Sequence, residues 1–310
     1  MCKGIRFGLI ISILLPVLVH SQDRLPIIDM HMHARTSMLR DNNGNPMPRE
    51  CQPRPCEGLS ALAREDDDVL RLTLEAMDEY NIVLGFLGDR PARVRHWLEA
   101  APDLFIGAVG FNPDLDPAKL REEYRSDIYG GVGELAPVYR GISINDPLLE
   151  PYFAIAEEYD LPVLIHISGM GAPTETFRIR TGHPELLGEV LRRHPNVRVY
   201  LENASFPFFE EAISIMYMFP QVYADISTIS WIVPRAIFYD HLERLMKSGL
   251  GNRLMFGFDQ IWWPGVIGDA IESIESAPFL TEEQKRAIFY NNAARFLRLS
   301  DEEIAAHHGR

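Results

Sequence analysis

The segment Ile27-Ile28-Asp29-Met30-His31-Met32-His33-Ala34-Arg35 holds the residue types and the spacing with most chemical content in this chain. A short β-branched run leads into Asp29, His31 and His33, which alternate with Met30 and Met32. Side chains of a strand alternate between faces, so these three are expected to project the same way. Two imidazoles one pleat apart can grip a divalent cation through ring nitrogens at about 2.0–2.1 Å. Asp29 is then expected to support one of them, because a metal-held imidazole usually passes its other ring proton to an acceptor. The same pattern also fits a half-buried strand whose histidines are simply hydrogen-bonded, so a motif of two residues needs company elsewhere in the chain.

The elements that would position such groups recur with a regular alternation. Candidate strands are Ile27–His31, Ile82–Leu87, Phe105–Val109, Gly131–Leu135, Val163–Ile167, Val197–Leu201, Val222–Ile226 and Arg253–Phe258. Helical patterns cover Asp67–Tyr80, Pro91–Ala100, Pro117–Tyr124, Pro147–Tyr159, Pro184–His194, Phe208–Phe219, Pro234–Ser248 and Glu282–Leu299. Several open on proline, which suits the first helical turn. The strands read as buried runs flanked by helices, the pattern of a parallel sheet. Eight such units predict an α/β protein with a single-domain, closed (β/α)8 TIM barrel spanning 22–310. An open doubly wound sheet would need a phosphate-binding glycine turn after the first strand, and DMHMHAR offers none. The segment 34–63, full of Pro, Asn and Gly, is then an elaborated first βα-loop beside the barrel mouth.

Chemistry on a barrel of this kind sits at the C-terminal ends of the strands. Ligand-type residues gather there. The first strand ends in His31 and His33, the fourth in Glu134, the fifth in His166, the sixth in Glu202 and Asn203, and the eighth in Asp259. Asp225, late in the seventh, is a further carboxylate to which the sequence assigns no role. Each has a bland explanation, such as a turn cap for Asp259 or a satisfied core histidine for His166. Their joint occurrence at one end of one barrel favours a common site.

On these motifs the chain resembles the amidohydrolase superfamily, in particular the amidohydrolase-related branch that includes aminocarboxymuconate-semialdehyde decarboxylase-like enzymes. The residues that carry the resemblance are DMHMH, LIHISG, HPNVRVYLENAS, MFGFDQIWWP and YNNAARFLRL, spread over nearly all of the chain after its first residues. The resemblance implies a catalytic divalent metal, commonly zinc, surrounded by His31, His33, His166 and Asp259. One departure stands out. The family usually reads l-a-H-x-G at the sixth strand, where this chain reads Leu201-Glu202-Asn203-Ala204-Ser205. Asn203 is taken to occupy the histidine's place, and asparagine is a poor metal ligand and cannot act as a general base. One ion is therefore favoured over two, with Glu202 expected on the opposite face. Glu134 is a further candidate ligand, since some relatives place a carboxylate at the fourth strand; otherwise it would bind a neighbouring loop or an arginine.

The implied chemistry is activation of water. Bound Zn²⁺ lowers the pKa of water from about 15.7 to roughly 7. Asp259 is expected to accept the proton and pass it to the leaving group, and Asn203 to donate to the developing oxyanion. Trp262 and Trp263, with Phe206 and Phe208, would wall a pocket for a cyclic or aromatic substrate. Arg178 and Arg180, or Arg35, can hold a substrate carboxylate in a bidentate way, or else pair with loop acids. The expected function is a metal-dependent hydrolase acting on a C–O or C–N bond of a small substrate. A metal-dependent non-oxidative decarboxylase is the alternative, and a non-catalytic binding protein on the same scaffold stays open.

A net charge of −14 argues against nucleic acid as a partner. Residues 1–21 read as a secretory signal peptide: Lys3 and Arg6 precede the uncharged apolar run Phe7–Val19, and Val19-His20-Ser21 supplies a cleavage site. The protein is then expected to be exported, periplasmic or extracellular, and off the membrane after cleavage; it acts on a small molecule, with a homo-oligomer left open. In an oxidising compartment Cys51 and Cys56 can form a local disulfide or remain two thiols.

Overall fold

The computed structural model describes residues 24–35, 67–171, 174–259, 261 and 263–309, with the backbone of 39–40 and 46–47. The expected signal segment, Cys51, Cys56 and Trp262 lie outside the described residues, as does most of 34–63. Of that loop, Leu39–Arg40 and Pro46–Met47 pair as a small antiparallel ladder.

Eight strands form the sheet: β1 (Ile27–His33), β2 (Ile82–Asp89), β3 (Phe105–Val109), β4 (Tyr129–Leu135), β5 (Val163–Ile165), β6 (Val199–Leu201), β7 (Val222–Asp225) and β8 (Leu254–Met255). Each pairs in parallel with the next in chain order. The seam between β8 and β1 is bridged by Met30 N–H donating to Phe256 O (2.9 Å) and Asp259 N–H donating to His31 O (2.7 Å). The Asp29 carboxylate adds a third tie by accepting from Phe258 N–H at 3.0 Å. The result is a (β/α)8 TIM barrel.

The helices between the strands are α1 (Asp68–Tyr80), α2 (Pro91–Ala100), α3 (Pro117–Tyr124), α4 (Glu150–Glu158), α5 (Leu187–Arg193), α6 (Phe209–Met218), the single turn α7 (Ile229–Ile232) and α8 (Arg235–Lys247). Proline starts work as expected: Pro117 follows Asp116, whose carboxylate caps Ala118 N–H. The unit after β8 differs from the sequence expectation. Its helix is α9 (Ile267–Glu275), whose Ile267, Ala270, Ile271 and Ile274 are buried at helical spacing. The expected helix over Glu282–Leu299 follows it as α10 (Glu282–Arg286) and α11 (Asn292–Leu297), joined by a π turn at Ala287–Asn291. A last helix, α12 (Asp301–His308), starts in a Ser300/Glu303 capping box. Among the described residues, no helix is long and apolar enough to cross a membrane.

Packing places apolar groups on both sides of the strands. Inside the barrel, Ile28, Met30, Val83, Leu84, Phe86, Ala108, Leu164, Tyr200 and Met255 form one cluster, which Tyr290 and Phe296 join from the C-terminal helices. Gly131 makes room for it: a Cβ there would stand 2.3 Å from the Phe86 ring. The Tyr200 hydroxyl donates to Met30 O (2.6 Å) inside this cluster, which fixes Tyr200 as an inward residue of β6. Outside, a larger cluster that includes Val69, Met77, Val94, Trp97, Leu187, Val190, Phe238 and Ile271 joins helices to strands.

Candidate metal centre at the C-terminal rim

The strand ends bring three imidazoles and several carboxylates together. β1 slips in register between Asp29 and Met32, so Met30 packs inside the barrel while His31 and His33 both reach the mouth. Their ring centroids are 5.2 Å apart. His31 Nδ1 donates to Asp225 Oδ2 at 3.1 Å. Its other nitrogen, Nε2, is fully buried, lies 3.6 Å from Asp259 Oδ1 and has no hydrogen-bond partner among the described residues. His33 Nε2 stands 2.9 Å from the same Asp259 oxygen and 3.7 Å from Glu134 Oε2. Asp259 sits at φ +56°, its N–H tied to His31 O and its Oδ2 taking the Thr228 hydroxyl. A non-glycine residue in the left-handed region costs of order 1–3 kcal/mol, which the surrounding bonds must offset.

The second half of the cluster is centred on His166, just past the end of β5. Its Nδ1 lies 2.6 Å from Glu134 Oε1 and also against Glu202 Oε2. Its Nε2 donates to Met170 O at 2.9 Å, and the Tyr139 ring meets it edge-on at 4.9 Å. Glu202 Oε1 accepts from Asn203 Nδ2 at 2.7 Å. Glu202 Oε2 is buried without hydrogen-bond geometry to any described group, although it touches His166.

Electrostatics match this crowding. Burial works against protonation of His31, yet Asp259 and Asp225 override it and raise its pKa well above the usual value. Burial also opposes protonation of His166, and Glu202 overrides it in the same direction. Burial raises Glu134, but its bond to His166 prevails and holds it well below the carboxylate range. Glu202 goes the other way, pushed up by burial despite the His166 charge, with Glu134 adding to the rise. Such a cluster balances itself with protons, and a divalent cation can take their place. The fit is direct: two sets of ligand atoms, His31/His33/Glu134 and Glu134/His166/Glu202, each lie within 4.8 Å of one another. Buried atoms such as His31 Nε2 and Glu202 Oε2 are costly to leave unpaired.

Not every expected residue lands where the sequence suggested. Asp29 supports no imidazole: its Oδ1 accepts the main-chain N–H of His31 (2.9 Å) and of Phe258, stitching β1 to the β8 exit. Asp225 is the carboxylate that holds His31, a role that sequence reasoning missed. Ser227 and Thr228, just beyond it, were missed too; their position in the loop after β7 was the available signal. Glu202 points into the cluster rather than away from it. Tyr200 is inward, so the residue two positions on leaves the strand on the same side. Asn203 is buried behind it, donating through Nδ2 to Glu202 and lying 3.1 Å from the Ser227 hydroxyl through Oδ1. Asn203, Ala204 and Ser205 all adopt positive φ, forming the left-handed turn that carries Glu202.

The expected pocket wall is only partly in view. Trp263 is half-buried and meets Trp231 at 6.4 Å. Phe206 packs against His241 and Phe208 against His183. Arg178 is exposed and donates to Glu175 O and Phe177 O of its own loop, Arg180 is exposed nearby, and Arg35 pairs with Asp89 at 3.3 Å.

A closed eight-stranded barrel with histidines and carboxylates converging at its C-terminal rim defines a metal-site enzyme of the TIM-barrel type. The amidohydrolase family profile matches residues 28–299, and the chain belongs to that family. It is thus an enzyme of a superfamily that depends on divalent metal. No curated protein sequence matches it. Among solved structures it is similar to a probable 2-pyrone-4,6-dicarboxylic acid hydrolase from Acinetobacter baumannii, at 15% identity and TM-score 0.61, over 89% of this chain and 100% of that one. It is also similar to 5-carboxyvanillate decarboxylase from Novosphingobium aromaticivorans, solved with manganese and a nitrobenzoic acid, at 14% identity and TM-score 0.61, over 90% and 97%. A third is 4-oxalomesaconate hydratase from Rhodopseudomonas palustris, at 17% identity and TM-score 0.58, over 90% and 98%. At these identities the likeness is one of fold.

Proposed function

We propose that the protein is a metal-dependent hydrolase of a C–O or C–N bond, acting on an ester, lactone or amide of a small cyclic or aromatic compound. The observation that carries this reading is Asp259, whose Oδ1 faces both His31 Nε2 and His33 Nε2 while Thr228 steadies its other oxygen. His31, His33 and Asp259 would hold a catalytic Zn²⁺, with Glu134 and His166 alongside. Such an ion supplies Lewis acidity, polarising a carbonyl oxygen and making water nucleophilic near neutral pH. Asp259 receives the proton of the attacking water and returns it to the leaving group. Asp225 keeps the His31 proton on Nδ1, so that Nε2 presents its lone pair to the site. Asn203 is the proposed oxyanion donor, and its engagement with Glu202 and Ser227 means that it must exchange a partner to serve. Arg178, Arg180, Trp262 and Trp263 are the proposed substrate contacts. Export through the leader at 1–21 belongs to the same reading, since extracellular nutrients are usually broken down by hydrolysis.

The likeness to 5-carboxyvanillate decarboxylase favours a second reading, non-oxidative decarboxylation of an aromatic acid. The two separate in one experiment. Metal-loaded protein is offered a panel of lactones, aryl esters, amides and aromatic carboxylic acids, with the acid produced by hydrolysis followed by liquid chromatography and CO₂ by trapping. Acid release that disappears on chelation and returns with Zn²⁺ supports hydrolysis; CO₂ release without new acid overturns it.

A further inference from the structure

We propose that the chain binds a small aromatic monocarboxylate at the N-terminal end of the barrel, in the cavity where the entry to β1 meets the end of α10. The site lies at the opposite end of β1 from the metal cluster: Ile27 opens that strand and His33 closes it, about 20 Å away at the rise of an extended chain. The proposal does not depend on what the rim catalyses.

Three observations converge on it. First, the cavity has a volume of about 720 Å³, within the range of small-molecule sites. Its apolar walls are Leu25, Ile27 and Phe289, and Leu25 is left 61% exposed, so an apolar ligand body covers surface that the fold leaves open to water. Second, Arg286 lines the same cavity with no carboxylate against it among the described residues. Its Nη2 donates to Pro26 O, its Nε is buried without a hydrogen-bond partner among the described residues, and its Cζ sits 5.1 Å from the centroid of the Tyr290 ring. Burial pushes its pKa down to about 10, as expected of a cation short of counter-charge. Third, the π turn Ala287–Asn291 starts directly after Arg286 and brings Phe289 to the cavity wall. Single π turns within helices are frequent at functional sites.

The remaining charges select the ligand. Arg24 pairs with Glu275 at 3.4 Å and lies over the Tyr80 ring, and Lys285 pairs with Glu282 at 2.7 Å. These pairs leave the Arg286 guanidinium and the exposed Glu283 carboxylate as the unmatched charges of the cavity lining. A planar carboxylate suits the guanidinium fork, and an aromatic ring suits the wall beside Phe289. Glu283 limits the charge of the ligand: it repels a second negative group, so a monocarboxylate is preferred over a dicarboxylate or inorganic phosphate.

The test uses the full chain stripped with chelator and titrated with benzoate by isothermal calorimetry, with benzamide and inorganic phosphate as the other probes. The expected result is one benzoate per chain, with benzamide bound at least about 10-fold more weakly and phosphate failing to displace benzoate. Arg286→Met should weaken benzoate binding by at least about 10-fold, Arg286→Lys by less, and Glu283→Gln should strengthen it. His33→Ala, at the other end of β1, should bind benzoate like the unaltered chain. No saturation by benzoate below about 10 mM overturns the proposal. So do equal affinities for benzoate and benzamide, displacement by phosphate, or unchanged benzoate affinity in Arg286→Met. Loss of binding in His33→Ala moves the ligand to the rim and overturns it as well. Should Arg286→Met fail to fold, the exposed Glu283→Gln decides: stronger binding supports the site, and unchanged or weaker binding overturns it. None of these readings requires turnover.

Discussion

Replacing Asp225 by asparagine tests the cluster through a residue two bonds removed from any cation. Asp225 is fully buried at the end of β7. Its Oδ1 takes the main-chain N–H of Asn203 (3.0 Å) and of Ser227 (3.0 Å) and the Ser227 hydroxyl (2.5 Å), and its Oδ2 takes His31 Nδ1 (3.1 Å). Asparagine fits the space but turns one acceptor into a donor. If its nitrogen stood in the Oδ1 position, two buried main-chain donors would lose their acceptor, at about 1–3 kcal/mol each. If it stands in the Oδ2 position, the main-chain bonds survive and only the direction of the bond to His31 reverses, so this orientation wins. His31 must then accept at Nδ1 and carry its proton on Nε2, the nitrogen that faces Asp259. No lone pair is left there for a cation. Partners of this kind are worth about 10–100-fold in metal affinity, or roughly 1.4–2.7 kcal/mol. Zn²⁺ affinity measured by chelator competition should weaken by that factor in Asp225→Asn. The metal-free chain should remain folded by circular dichroism. Affinity within twofold of the unaltered protein would refute the assignment of His31 Nε2 as a ligand.

Asp259→Asn should keep the fold and lose turnover by at least about 100-fold, measured as kcat on the best substrate, and near-normal rates would remove Asp259 from proton transfer. His241 carries a pH prediction of a different kind. Burial, against its bond to Ala204 O, lowers its pKa from 6.5 to about 4, so the folded chain keeps it neutral while the unfolded chain takes up a proton. Its contribution is complete above pH 6.5 and is lost as pH falls toward 4, by roughly 3 kcal/mol at the lower end. His241→Leu should flatten denaturant-derived stability over that window; an unchanged slope would show that other groups set it. Tyr200→Phe removes the donor to Met30 O and should cost about 1–3 kcal/mol in urea melts without releasing metal. Metal loss from that variant would mean that the inward packing of β6 is not separable from the site.

Most of the barrel was legible because each β/α unit repeats the same demand: an apolar strand too buried to alternate, then an amphipathic helix to cover it. Helices α9 and α12 were missed, although the Ser300 and Glu303 pair signalled the second. Side chains at strand ends were legible as types and less so as directions. His31, His33, His166, Asp259 and Glu134 converge because the rim collects whatever the strands end in. The direction of Glu202 depended on which face of β6 points inward, and that face is set by Tyr200, an amphipathic residue whose preference a sequence does not declare. Once its phenol is buried against Met30 and Phe86, the alternation of the strand carries Glu202 into the mouth and Asn203 behind it. The departure from the family's sixth-strand pattern then changes meaning. What the sixth strand delivers to the cluster is the carboxylate of Glu202, set against His166, while the Asn203 amide turns to Glu202 and Ser227.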